Sequence, residues 1–266
     1  MRESARCIVL VAAMLATGCV STHRGTEWGA VATFTPGFDV VKTAFRRAAT
    51  DPLTWTPIAG AGLLIASGVD GDWSDAIVDA APLFGGDADD ASNDLRDIGL
   101  ASYLVTALVA PGGDTFGEWL AIKARGLQVG VATFGAEGLA TTGLKSAVGR
   151  DRPNGESDKS FPSGHAAHAG AAATLAARNL AYVEWPAWGR RTATWGVYGV
   201  AAVSGWARVE AEKHYLSDAL VGFAIGHFFA RFMHEAFLEA GVGDVEVTAQ
   251  RAEGGFVVSF AVPLGR

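Results

Sequence analysis

Lys145, Arg152, Ser163, Gly164, His165, Arg208, His214 and Asp218 have the types and spacing for metal-free phosphate chemistry. They fall in three segments: Lys145 to Pro153, Pro162 to His165, and Arg208 to Asp218. Arg offers a planar fork of donors to phosphate oxygens and Lys a point charge, so three cations can grip one anion from different sides. The middle segment reads as a turn that opens a helix. Backbone N–H groups at a helix start attract anions, Gly164 lets the backbone approach closely, and Ser163 can donate its hydroxyl. In the third segment His214 and Asp218 are four apart, a spacing at which helical side chains meet. A carboxylate on one ring nitrogen fixes the tautomer and leaves the other nitrogen as a lone-pair donor, so His214 is the candidate nucleophile. His168, one turn after His165, reads as a residue that packs or supports the site from behind, not as half of a metal pair, which would need a third ligand. Each segment alone is common; the three in this order are not.

The elements that must hold these residues are helical. Apolar stretches at 56–69, 73–81, 94–110, 115–148, 164–183, 190–207 and 215–240 are separated by Gly- and Pro-containing breaks, the pattern of an all-α bundle. Gly149 is a natural helix stop, and Pro153 disfavours the α conformation at Arg152. Lys145 therefore sits on the last turns of one helix and Arg152 on the loop after it. Residues 19–50 read as a tether with a short strand at Ala30 to Phe34 and a short helix at Val40 to Ala49. The bundle is expected over 51–240. Residues 241–266 alternate or run β-branched around Gly254-Gly255 and read as a small C-terminal β-hairpin.

The chain has 266 residues, 50% hydrophobic and 18% charged, with a formal charge of -7. Such an acidic chain without a long Lys/Arg run is a poor nucleic-acid binder. Arg2 and Arg6, the apolar run Ile8 to Leu15 and Ala16-Thr17-Gly18-Cys19 resemble a bacterial lipoprotein signal, residues 1–18, ending at a lipobox. Cys19 would then be lipidated, anchoring the protein on the periplasmic side of the cell envelope, at the outer membrane rather than the inner. The longer apolar stretches carry charges, and the cleanest fall short of the roughly 20 residues a spanning helix needs. The reading is a lipid-tethered globular bundle, with an integral membrane protein as the alternative. Asp87, Asp89, Asp90, Asp94 and Asp97 lack the Gly and terminal Glu of an EF-hand and read as a solvated loop, with Asp94 near a helix start.

Taken together, Lys145-x6-Arg152-Pro153, Pro162-Ser-Gly-His165 and Arg208-x5-His214-x3-Asp218 resemble the tripartite signature of the type 2 phosphatidic acid phosphatase superfamily. That superfamily also holds bacterial class A acid phosphatases and vanadium haloperoxidases. The resemblance implies a helical bundle of that type and a phosphatase for phosphomonoesters or pyrophosphates. It implies that His214 becomes phosphorylated, that Asp218 orients it and that His165 protonates the leaving oxygen. Lys145, Arg152, Ser163, Gly164 and Arg208 would hold the phosphoryl oxygens, with no metal or other cofactor. A lipid anchor favours lipid-linked substrates. Ala207 departs from the pattern, where Ser is usual, which puts one minor hydrogen bond in doubt. The same cations would bind vanadate in a haloperoxidase, and a non-catalytic phosphate-binding envelope lipoprotein is the alternative outside enzymes.

Overall fold

The structure, a computed structural model, describes residues 27–80 and 82–239 and the strand backbones Glu246–Ala252 and Gly255–Ala261. The signal-like segment and Cys19 lie outside the described residues. Eight α-helices follow in the described chain: α1 (Phe38–Thr50), α2 (Pro52–Ser67), α3 (Asp70–Ala80), α4 (Ala88–Val109), α5 (Phe116–Val148), α6 (Gly164–Asn179), α7 (Ala187–Glu210) and α8 (Leu216–Met233). They form the expected all-α bundle. Two later backbone stretches, Glu246–Ala252 and Gly255–Ala261, pair antiparallel with Glu246 opposite Ala261.

The centre of the bundle is α6, which packs on α4, α5, α7 and α8. Its sequence is Ala- and Gly-rich, and Ala166, Ala167 and Ala169 to Ala173 are buried with almost no gap. A helix that is apolar all round belongs in a core. Small side chains let α6 and α8 approach at backbone distance. A β-carbon on Gly226 would overlap the Ala167 carbonyl, one on Gly222 would overlap the Ser163 carbonyl, and one on Gly170 would lie 2.8 Å from the Phe223 carbonyl oxygen. The start of α6 is thereby pressed against the start of α8, where the second and third segments meet.

Local signals set the helix ends that matter. Thr115 accepts from the Glu118 N–H at 3.3 Å while the Glu118 carboxylate accepts from the Thr115 N–H at 3.1 Å, a capping box that starts α5. The helix runs for 33 residues and stops at Gly149, whose φ of 61° is left-handed. Lys145 therefore sits in the last turn.

Three expectations change. The stretch Ala30 to Phe34 is turn rather than strand, closed by bonds such as Ala32 N–H to Gly29 O at 3.2 Å. The segment before α1 is packed rather than loose from Glu27 on, because Trp28 is 1% exposed and donates its indole N–H to Asn179 at 2.6 Å. The aspartate run is not a solvated loop. A single 3-10 turn, Gly85–Asp87, leads into α4, so Asp89 and Asp90 occupy its first turn, where acidic residues suit the helix dipole.

Among the described residues, Leu216–Leu238 is one helix long and apolar enough to cross a membrane by length and composition, with 44% of its most apolar stretch buried inside the bundle.

Candidate active site

The ends of α5, α6, α7 and α8 converge, each bringing part of the signature, and the first turns of α4 pack against them through Asp89, Asn93 and Arg96. Lys145 lies over the start of α6: its Cε would be 3.9 Å from a β-carbon on Gly164. Its ammonium donates to the Lys159 carbonyl at 2.8 Å. Arg152 stands on the following loop, with its guanidinium 3.6 Å from Glu156 and its buried Nε unpaired. Arg208, in the last turn of α7, is 5% exposed. It donates to the Asp89 carboxylate and to the Ser92 hydroxyl, the latter at 3.2 Å.

The cations feel one another. Burial pushes the Lys145 ammonium down to about 8, and repulsion from Arg152 and Arg208 contributes, partly offset by Asp218. Arg208 is lowered by burial and then by Arg152 and Arg96, although Asp89 supports its charge. An anion among these groups would relieve that repulsion.

Ser163 caps α6: its hydroxyl accepts from the Ala166 N–H at 3.4 Å, and its own N–H donates to the Asp218 carbonyl at 3.0 Å. The next side chain, His165, has Nε2 2.9 Å from Asn93 Oδ1 and 3.3 Å from Arg96 Nη1. Burial pushes its pKa down to about 4, with Arg208, Arg96 and His214 adding to the effect and Asp89 opposing it.

His214 departs from the helical placement expected for it. Helix α8 begins at Leu216, so His214 lies in the loop just before, 2% exposed. Its Nδ1 is 3.8 Å from Asp218 Oδ2, an ion-pair distance longer than a hydrogen bond, and has no closer partner. Burial lowers the imidazole pKa, Asp218 raises it in part, and Lys145 and Arg208 lower it again. The ring is therefore neutral near pH 7 and keeps a lone pair. Asp218 is fully buried. Burial alone would raise its pKa, but the His214 ring, the Ser160 hydroxyl, Arg150 and the Tyr215 N–H outweigh it and hold the carboxylate below the usual range. The Ser160 hydroxyl donates at 2.5 Å, the Tyr215 N–H at 2.9 Å and Arg150 at 2.8 Å.

Sequence reasoning missed several of these partners. Arg150 bridges Asp218 and Asp70 at 2.8 Å each, donates to the Ser217 hydroxyl at 2.8 Å, and stacks 3.9 Å from the Tyr215 ring centre. Its position inside the first segment was its one visible signal. Asn93 and Arg96, on α4, give no signal at all. Three loop contacts bring α4 there: Glu210 accepts from the Leu83 N–H at 2.9 Å, the Phe84 N–H at 2.6 Å and the Gly85 N–H. Ala207 is fully buried beside Arg208.

A cavity of about 480 Å³ opens on this cluster, lined by Arg96, Glu137, Thr141, Lys145, His165 and His168 among others. A larger one of about 650 Å³, lined by residues such as Leu53, Trp195, Trp206 and Phe223, has no charged side chain and cannot be the anion site. Among the described residues no group of three or more His, Cys, Asp or Glu is placed to hold a metal ion.

Residues 125–241 match the family model of the PAP2 superfamily. The chain is 38% identical over 100 residues to a lipid A 1-phosphatase of Porphyromonas gingivalis; the match covers 37% of this chain and spans a fifth of that protein's length. A solved transmembrane PAP2 type phosphatidylglycerolphosphate phosphatase from Bacillus subtilis shares the fold, with a TM-score of 0.50 and 22% identity over 68% of this chain and 92% of that one.

Proposed function

Because the chain belongs to the PAP2 superfamily through residues 125–241, we propose that it is a phosphatase that releases phosphate from lipid-linked phosphomonoesters or pyrophosphates through a phosphohistidine. One observation carries this reading. Lys145, Arg152 and Arg208 lie close enough to repel one another beside two neutral imidazoles, the half-buried His165 and the buried His214, the latter set against a carboxylate.

In the first step a lone pair of His214 attacks phosphorus. An N–P bond forms, the P–O bond to the leaving group breaks, and the departing oxygen takes a proton from His165. The cations and the N–H groups at the start of α6 meet the charge on the transferring oxygens. In the second step water attacks phosphorus, gives its proton to His165, and free phosphate and His214 are restored. A pKa of about 4 leaves His165 unprotonated at neutral pH. A substrate dianion among the cations offsets their repulsion and raises that value, so substrate and proton arrive together. Asp89 holds Arg208 through the same donors that phosphate would use, and must yield to it.

The substrate class is supported by the related lipid phosphatases. Exposed apolar side chains such as Phe38, Leu63 and Leu139 support membrane association. Lipidation at Cys19 and a periplasmic location, toward the outer membrane, belong to the same proposal. The test is phosphate release from phosphatidate or p-nitrophenyl phosphate in the presence of a chelator, with inhibition by vanadate. Wild-type protein should turn over and trap label on His214; no release from any ester would refute the assignment.

A further inference from the structure

A further histidine–carboxylate pair, His168 with Glu137, stands in the cavity that opens on the cations. On α5, Glu137, Thr141 and Lys145 are spaced by four and share one face; on α6, His165 and His168 share another. All five line the same cavity of about 480 Å³. Along the helix, Glu137 is about 12 Å from Lys145, two turns deeper. Glu137 is 3% exposed, its Oε1 lies 3.4 Å from His168 Nδ1, and its Oε2 has no partner. Phe134 stacks on the His168 ring at 4.4 Å. With Nδ1 turned to Glu137 and one face against Phe134, His168 has its Nε2 left for the cavity.

This placement has a consequence for the leaving group. In an in-line displacement the nucleophile and the leaving oxygen stand on opposite sides of phosphorus. His165 lines the cavity and His214 does not. Resting on the phosphatase reading above, the geometry points to His168 as a substrate-binding residue, positioned by Glu137, that takes a hydroxyl of a polyol or sugar leaving group.

The polar wall favours that class over a plain long-chain alcohol. Thr141, Thr142 and Asp97 line the cavity with the two histidines, and Leu100 is its one large apolar side chain. Once substrate closes the cavity, an imidazole left without its hydrogen-bond partner discriminates against a substrate lacking the hydroxyl. A prenyl or alkyl phosphate offers no such donor.

The experiment compares two esters in mixed micelles, phosphatidylglycerol phosphate, whose leaving group carries a free glycerol hydroxyl, and dodecyl phosphate, with kcat/KM measured for each. Wild-type protein should favour the hydroxylated ester at least tenfold. In His168→Phe and in the near-isosteric Glu137→Gln that preference should fall at least fivefold. A structural role would depress both esters equally and keep the ratio. An unchanged ratio in a folded variant, or equal wild-type rates on the two esters, overturns the proposal. The wild-type ratio needs no variant to fold. Absence of release from both esters refutes the phosphatase assignment itself and the subsite with it.

Discussion

At the scale of single residues, the chemistry rests on two neutral imidazoles, of which His165 gains its proton only with the substrate. His214 is neutral because burial outweighs Asp218, and that neutrality is what a nucleophile needs. Replacing it with Ala should lower phosphate release on the order of 10³-fold or more while leaving the melting transition in place. Loss of label transfer with retained activity would show that another group attacks phosphorus. Lys145 supplies a pH limb. Its pKa is about 8, below the ordinary lysine value, so it is charged below that pH and loses its charge above it. Between about pH 8 and the ordinary lysine value, kcat/KM should decline toward ~10-fold per pH unit. Lys145→Arg should remove that limb, because an arginine stays protonated throughout. Asp89→Asn removes the carboxylate that competes for Arg208 and should lower KM several-fold with little change in kcat. A raised KM would mean that Asp89 holds Arg208 in its productive position instead. The signature residues were legible because their types are rare and their spacing is fixed. Arg150 was marked only by its place in the first segment, and Asn93 and Arg96 not at all, because a single Arg or Asn on an amphipathic stretch carries no mark of what it will face.

At the scale of elements, the site depends on helix starts being fastened to distant segments. Asp70, at the start of α3, accepts the Ser217 N–H at 3.0 Å, and the Ser74 hydroxyl accepts the Leu216 N–H at 3.0 Å, so α3 caps α8. Arg150 ties that cap to Asp218. Arg150→Ala leaves two buried carboxylates without their cation. Removing one partner of a buried pair costs ~3–5 kcal/mol, and the partial exposure of Arg150 places this case at the low end. Denaturant unfolding should show the loss, and Arg150→Lys should recover part of it. The contact of α6 with α8 gives a second test. Gly226→Ala forces a methyl into the Ala167 carbonyl and should cost ~1–3 kcal/mol. A variant as stable as wild type would mean that the two helices are not held at backbone distance. Helix positions were readable from apolar period and from Gly149 and Pro153. The tight α6–α8 crossing was not, because a glycine inside a helix looks the same whether it faces a carbonyl or water. Ala30 to Phe34 was misread for a related reason: it is a short apolar run with β-prone Val, Thr and Phe, but Trp28 and Gly29 turn the chain into the bundle first.

At the scale of the whole molecule, the distribution of apolar surface decides how the protein meets its substrate. The described bundle exposes Phe38, Trp55 and Leu63 on α1 and α2, Leu139 on α5, and Trp188 and Trp195 on α7. The chain carries a net charge of -7, so attraction to an anionic bilayer cannot be the main force. Transfer of apolar side chains is the remaining one, and each fully buried large side chain contributes ~1.5–3 kcal/mol. Salt separates the two forces, since charge attraction is screened over roughly 10 Å at ~0.1 M and apolar transfer is not weakened. Protein with Cys19→Ser, lacking any lipid, should therefore still sediment with phosphatidylglycerol-containing vesicles, and the bound fraction should hold or rise between ~0.05 and ~0.5 M salt. Tryptophan emission should shift to the blue on binding, and Leu63→Ser with Trp55→Ser should weaken the association. Release by salt would assign the contact to charge. Failure of the Cys19→Ser protein to bind at all would make the lipid the sole anchor, and would leave these exposed side chains without a membrane role.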